Sequence, residues 1–210
     1  MGRYTGPVCR LCRRATEKLF LKGEKCMSPK CAIEKRPSLP GMHKAGGRPR
    51  KISERGVQLL QKQKARRTYG LMEKQFKKLF VEAEKAPGIT GDTLNVLLER
   101  RLDNVVLRLG FARSHPQARQ IVRHGFLLLN GHRINIPSYL VKEGDAIVWK
   151  EGRKKTMLFQ QATQDAASKG VPGWLTLDPA TLDGRVSRLP TPEEVETKID
   201  GKAIVAYYSR

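Results

Sequence analysis

The sequence predicts an α+β protein: a mostly helical N-terminal domain holding a small four-cysteine zinc site, followed by a module of two helices and a small antiparallel sheet. Three observations carry that expectation. Four cysteines cluster at metal-ligand spacing within the first 31 residues. Helical hydrophobic spacing then runs to Gly125. Beyond it the pattern turns strand-like on both sides of Asn130-Gly131.

The cysteines come as Cys9-x2-Cys12 and Cys26-x4-Cys31, thirteen residues apart. In a reducing compartment such pairs argue for metal rather than disulfides. Four thiolates close a tetrahedron around Zn²⁺ with no open position, which makes a structural site for a segment too polar to fold alone. Arg10, Arg13, Arg14, Lys25 and Lys30 offset the negative charge of such a centre. The same ligands suit an iron–sulfur cluster, and unligated thiols or two disulfides are the remaining alternative.

Pro37 to Pro49, with Pro40-Gly41 and Gly46-Gly47, reads as an extended basic loop. Ser53 opens a helix over Glu54 to Tyr69 that carries Lys62, Lys64, Arg66 and Arg67. A second helix, Leu71 to Lys85, aligns Met72, Phe76, Leu79, Phe80 and Ala83 on one face. From Asp92 a single helical stripe of Leu94, Leu97, Leu98, Leu102, Val105, Val106 and Leu109 lasts until Gly110. Ser114 with Gln117 forms a capping box for the next helix, which turns Ala118, Ile121 and Val122 inward and ends at Gly125. His115, Arg119 and Arg123 fall on its other face as a basic stripe, with Arg113 just before the cap.

Phe126 to Leu129 and His132 to Ile136 flank Asn130-Gly131, the strongest short hairpin signal, and Ala146 to Trp149 follows the Glu143-Gly144-Asp145 turn as a third strand. The tail reads as a helix over Thr156 to Lys169, an irregular stretch from Pro172 to Pro190, a short helix over Pro192 to Val195 capped by Thr191, and a closing strand over Ile204 to Tyr208. The domain expectation is a zinc-bearing basic arm (1–45), a helical domain (46–99), the two-helix and sheet module (100–160) and a C-terminal segment (161–210) that packs back on the helical domain.

With 41 Lys or Arg against 20 Asp or Glu, the 210 residues carry a formal charge of +21. Residues 1–80 hold 22 basic and 5 acidic residues, a net of +17; residues 81–160 carry +5 and the tail −1. Such an excess favours a polyanionic partner, nucleic acid above all, with an anionic membrane surface as runner-up. Helix Glu54 to Tyr69 gives the membrane reading little support, since only Val57, Leu59 and Leu60 are large and apolar in its first half. The apolar runs, Phe126 to Leu129 among them, are far short of the ~20 residues a spanning helix needs. The basic start develops no apolar h-region, so the expected compartment is the cytosol. Ser114 presents helix N–H groups to phosphate beside the basic stripe, and this converges on RNA.

No enzyme is expected. Arg101-Leu102-Asp103 matches the active-site triplet of pseudouridine synthases, but it falls inside a helical stripe, where Asp103 reads as a surface carboxylate near Arg100 or Arg108. His43, His124 and His132 have no partner for nucleophilic chemistry, and P-loop, GxGxxG and HExxH motifs are absent.

Read as a whole, the chain resembles the bacterial small-subunit ribosomal protein S-four family from end to end. The segments that carry the likeness are MGRYTGPVCRLCRR, the paired cysteines, KRPSLPGMH, QKQKARRTYG, LLERRLDNVVLRLGFARSHPQARQIVRHG, NGHRINIPSY and YYSR. Its two-helix-plus-hairpin module resembles the αL RNA-binding motif, which also occurs in tyrosyl-tRNA synthetases and pseudouridine synthases. The resemblance implies a primary small-subunit rRNA binder, cytoplasmic and ribosome-bound, that docks at a helix junction of the 5′ domain, nucleates assembly and contributes to translational accuracy. It implies ribosomal protein S-five and other small-subunit proteins as neighbours, with mRNA near the side where it enters. The family pattern maps RNA contacts onto Ser114, Gln117, Arg119, Arg123, His124 and Gly125, to which the residue reading adds Arg113. Upstream it maps them onto Arg3, Tyr4, Arg13, Arg14, Lys62, Lys64, Arg66, Arg67 and Tyr69. The four cysteines match the zinc-binding branch, while Lys44-Ala45-Gly46-Gly47 departs from relatives that have Gly directly after the histidine. On this reading Arg119→Ala and Arg123→Ala each lower rRNA affinity and flatten its salt dependence.

Overall fold

A computed structural model of the chain describes residues 4–41, 51–168, 170–195 and 199–209; Arg3, His43 and the Lys44 to Gly47 departure lie outside them. The chain divides into two compact units, one running to Leu94 and rejoined by the C-terminal helix, the other starting at Asn95.

In the first unit three short helices, α1 (Cys9–Ala15), α2 (Glu24–Met27) and α3 (Ala32–Lys35), carry the cysteines, and Cys12, Leu19 and Leu21 make a small core with Val8, Leu11 and Ala15. Ser53 caps α4 (Glu54–Thr68), its Oγ accepting the Gly56 N–H at 3.2 Å. On α5 (Glu73–Lys85) the expected face is buried as Phe76, Leu79, Phe80 and Ala83, while Met72 is exposed. Helix α6 (Thr90–Glu99) spans the division.

The stripe expected to be one helix is two. The backbone leaves α6 at Arg100, and Arg101 takes extended angles (φ −67°, ψ 135°) before α7 (Leu102–Arg108). There Arg101 bridges Leu140, the Leu102 N–H donates to Tyr139 O at 2.8 Å, and the Val141 N–H donates to Arg100 O at 2.9 Å. Hydrophobic spacing runs through the break unchanged, because Leu102, Val105, Val106 and Leu109 of α7 are buried as fully as Leu94 and Leu98. Periodicity alone could not mark it.

After α8 (His115–Arg123) come β1 (Leu127–Leu129), β2 (His132–Arg133) and β3 (Ala146–Trp149). Asn130 and Gly131, at φ +49° and +81°, make the tight turn that the dipeptide predicts and pair Leu129 with His132. Asn130 also ties the hairpin to the next turn, its Nδ2 donating to Asp145 Oδ1 and its Oδ1 accepting the Ala146 N–H, both at 2.8 Å.

The tail differs from expectation. Following α9 (Met157–Ser168), the stretch read as irregular forms β4 (Leu175–Asp178) and β5 (Asp183–Val186), which extend the sheet to β2-β1-β3-β5-β4, antiparallel throughout. Trp174, Leu175, Leu182 and Val186 bury in the same core as Ile121, Leu127, Ile147 and Trp149, so the segment after residue 160 belongs mainly to the second unit. These strands have four residues each and sit among turn formers, too short to register as alternation. Near Thr191 a 3₁₀ turn, Pro192–Glu194, stands where a short helix was expected, with the Thr191 N–H donating to Glu194 at 3.0 Å.

The closing strand is a helix, α10 (Gly201–Tyr208), in the first unit. The Asp200 carboxylate caps it by accepting the Ala203 N–H at 3.1 Å, and Tyr208 packs on Phe80 at a centroid distance of 4.4 Å. The β-branched and aromatic run outweighed that single cap signal. Among the described residues no helix is long and apolar enough to cross a membrane.

Candidate nucleic-acid interface

The second unit is organised by buried ions. Asp103 is 5% exposed and accepts a fork from Arg101 (Nε 3.1 Å, Nη2 2.9 Å) together with Arg119 Nη1 at 3.3 Å. Glu99, 1% exposed, accepts Arg108 through two nitrogens (3.0 and 2.8 Å) and Asn104 Nδ2 at 2.6 Å. Asp103 is therefore not the surface carboxylate expected of it, nor one free for catalysis, since two guanidiniums consume its lone pairs. The same pairing corrects the basic stripe. Arg119 is 6% exposed, turned into α7, and does not share an open face with Arg123, which is exposed.

His115 lies in the field of this cluster. Burial lowers its pKa to about 4; Arg108 and Arg101 push the same way, and Asp103 and Glu99 oppose them. A histidine whose folded pKa lies below its unfolded value stabilises fully above pH ~6.5 and loses that contribution as pH falls towards 4. His115→Gln should accordingly flatten the acid side of the stability profile between pH 6.5 and 4, read by urea unfolding at a series of pH values. An unchanged profile would contradict the assignment.

Around the α8 cap, the Gln117 side chain accepts the Arg113 N–H at 2.9 Å instead of closing a box on Ser114, whose hydroxyl caps nothing. Arg113 is drawn to Asp165 of α9 by two bonds of 2.6 and 3.0 Å. At the other end Gly125 (φ +65°) is buried: a Cβ there would stand 2.7 Å from Arg133 Nε. The glycine is needed both for its backbone angle and to seat that guanidinium. The exposed cations at this end are Arg123, Arg133, Lys150 and Arg153, with His124 and His132 exposed as well. Arg133 and Arg153 were not singled out from sequence, although the glycine next to a hairpin was a signal that something lies close. Arg123→Ala should lower rRNA affinity and reduce the salt slope by about one contact. Arg119→Ala should chiefly destabilise the fold. Filter binding paired with thermal melting separates the two, and equal behaviour of both variants would contradict the placement.

In the first unit several sequence candidates are buried or already bonded within the protein. Lys62 is 5% exposed, donates to Glu73 Oε1 at 2.6 Å and lies 4.5 and 5.3 Å from the Tyr207 and Tyr208 ring centroids. Tyr69 is 3% exposed, and Arg13 is tied to Ser38 O at 2.9 Å. Lys64 pairs with Glu17 at 2.7 Å. Tyr4, Arg14, Arg66 and Arg67 differ. Burial lowers the Arg67 pKa, Arg66 and Arg14 lower it further, and Tyr4 alone acts the other way. Arg67 Nε is buried with no hydrogen-bond partner among the described residues. Arg66 also reaches Gln63 Oε1 at 2.7 Å and Glu73 at 3.8 Å, but the three arginines outnumber that one carboxylate, which leaves an anion-seeking surface.

Cys12, Cys26 and Cys31 are buried, Cys9 is partly so, and all four are free thiols. Burial raises the Cys12 pKa; a Leu19 backbone hydrogen bond offsets part of this, and Cys26, Cys9 and Cys31 raise it further. The other three thiols are thus close enough to Cys12 to oppose its ionisation, and the Lys22 N–H points at Cys26 Sγ at 3.4 Å. Such N–H donors suit a thiolate. Among the described residues no three His, Cys, Asp or Glu side chains are gathered as a finished ligand set. Beside them lies a hollow lined by Arg13, Lys25, Lys30, Lys35 and Arg36.

A helical unit with a cluster of three arginines, joined to a two-helix and hairpin unit with a cationic corner, defines a basic α+β protein of nucleic-acid-binding type. Residues 3–99 match the family described as ribosomal protein S4/S9 N-terminal domain, and residues 100–147 match the S4 domain. Over all 210 residues, and over the full length of each relative, the chain is 51% identical to small ribosomal subunit protein uS4 of Dehalococcoides mccartyi. It is 52% identical to that of Heliobacterium modesticaldum and 51% to that of Dictyoglomus turgidum, again over full length. The chain belongs to the ribosomal protein S4 (uS4) family.

Proposed function

We propose that this chain is a structural component of the small ribosomal subunit that binds its rRNA, ribosome-bound in the cytoplasm and without catalytic activity. The observation that carries the reading is the Arg67 cluster, in which Arg14 and Arg66 crowd their charge against Arg67, whose buried Nε has no hydrogen-bond partner among the described residues. A phosphate backbone relieves that repulsion. The deep, narrow groove of A-form RNA hides base edges, so contacts run to phosphates and 2′-hydroxyls and recognition is by shape. Binding releases counterions and weakens steeply with salt. Native protein should sediment with small subunits and be stripped from them by high salt. Failure to sediment with small subunits at low salt would overturn the proposal.

Docking at a helix junction of the 5′ domain, nucleation of assembly, an influence on accuracy, and contact with ribosomal protein S-five and incoming mRNA are the finer reading. It is supported by full-length identity near one half with the uS4 relatives. Omitting the chain from a subunit reconstitution should block later proteins from joining, and unimpaired assembly would count against it. We also propose that Cys9, Cys12, Cys26 and Cys31 hold Zn²⁺, with an iron–sulfur cluster as the alternative. The support is their mutual proximity, their free thiols and the N–H donors aimed at sulfur. Such an ion would close the arm structurally and supply no reaction chemistry.

A further inference from the structure

The corner of the second unit where α8 meets the hairpin pairs charge with an aromatic platform. The Arg153 guanidinium lies 4.8 Å from the Phe126 ring centroid, and the His124 ring lies 6.3 Å from it. From the core side Trp149 meets Phe126 edge-on at 6.2 Å, which holds the ring in place. Its backbone is pinned as well, since Phe126 O accepts the Lys150 N–H at 2.9 Å. Arg133 is seated against Gly125 one residue away, and Arg123 and Lys150 are exposed nearby in the chain. Among the described residues none of Arg123, Arg133, Lys150 and Arg153 has a carboxylate partner.

Charge alone does not require this arrangement, because solvated lysines would attract a backbone equally well. A guanidinium held over a supported phenyl ring is a planar surface, and planes of this kind receive unstacked bases in RNA recognition. We propose that the Arg153–Phe126 pair stacks an unpaired nucleotide of the rRNA, with Arg133 and Arg123 on its flanking phosphates. This rests on the rRNA-binding reading and gives it one point of base recognition besides the phosphate contacts.

The test is filter binding of the full chain to small-subunit rRNA with Arg153→Lys and Arg153→Ala. Melting followed by tryptophan fluorescence confirms that both variants are folded, as expected for an exposed side chain. Lysine keeps the charge and loses the planar stack. Arg153→Lys should therefore lose about tenfold in affinity, the scale of a base–aromatic stack, with its salt slope unchanged. Arg153→Ala should lose at least as much and also lower the slope. Wild-type affinity in Arg153→Lys would overturn the stacking proposal and leave rRNA binding intact. Absence of rRNA binding by the unmodified chain would overturn both.

Discussion

Asp103→Ala is expected to destabilise the second unit by about 3–5 kcal/mol, the cost of stranding buried charge when one partner of an ion pair is removed. Asp103 is bonded to both Arg101 and Arg119, so its loss takes that anion from two guanidiniums, each at most 6% exposed. Arg101 sits at the break between α6 and α7, and Arg119 sits in the middle of α8. The variant should therefore loosen the packing of α7 on α8 that presents Arg123. Both tryptophans, Trp149 and Trp174, lie in this unit's core at 1% exposure, so urea unfolding followed by their fluorescence reports on it directly. A midpoint equal to that of the unmodified chain would show that the network does not hold the unit together.

On the proposed zinc site, metal removal should act on the first unit. With chelator, or in Cys12→Ser, residues 4–41 are expected to lose their fold while the second unit keeps its own. The arm's core is only Cys12, Leu19 and Leu21 with three partly buried neighbours, too little apolar surface to hold three helices of seven, four and four residues. Structural zinc supplies binding energy of roughly 10–16 kcal/mol in comparable peptides, all of it available for folding. Limited proteolysis should cut within the arm after chelation, with tryptophan fluorescence unchanged. Uniform protease resistance would contradict the metal's role.

Much of this was legible in the residues, and the failures share a cause. Ser53, Asn130-Gly131 and the Phe76 face acted through neighbours a few positions away, and local patterns reported them faithfully. Asp103 and Arg119 did not, because their pairing depends on where a helix breaks. The break at Arg100–Arg101 is imposed by strand-like bonding to Tyr139 and Val141, some forty positions later in the chain. Once α7 starts afresh at Leu102, Asp103 turns inward, and the spacing of four that paired Arg119 with Arg123 ceases to describe one open face. Lys62 is a similar case. It is buried under Tyr207 and Tyr208, rings from the far end of the chain in a segment that reads as a strand. Arg14 and Arg123 do stay on the surface, where their sequence positions alone put them.

The central claim, rRNA binding through phosphate contacts on cationic surfaces, is tested most directly by the salt dependence of binding to small-subunit rRNA. For the intact chain, log affinity should fall linearly and steeply with log salt, by roughly 0.7–0.9 for each phosphate neutralised. Replacing Arg14, Arg66 and Arg67 together by Ala should lower that slope by about two to three and weaken binding at low salt. Binding indifferent to salt, or a slope untouched by the triple substitution, would contradict the account.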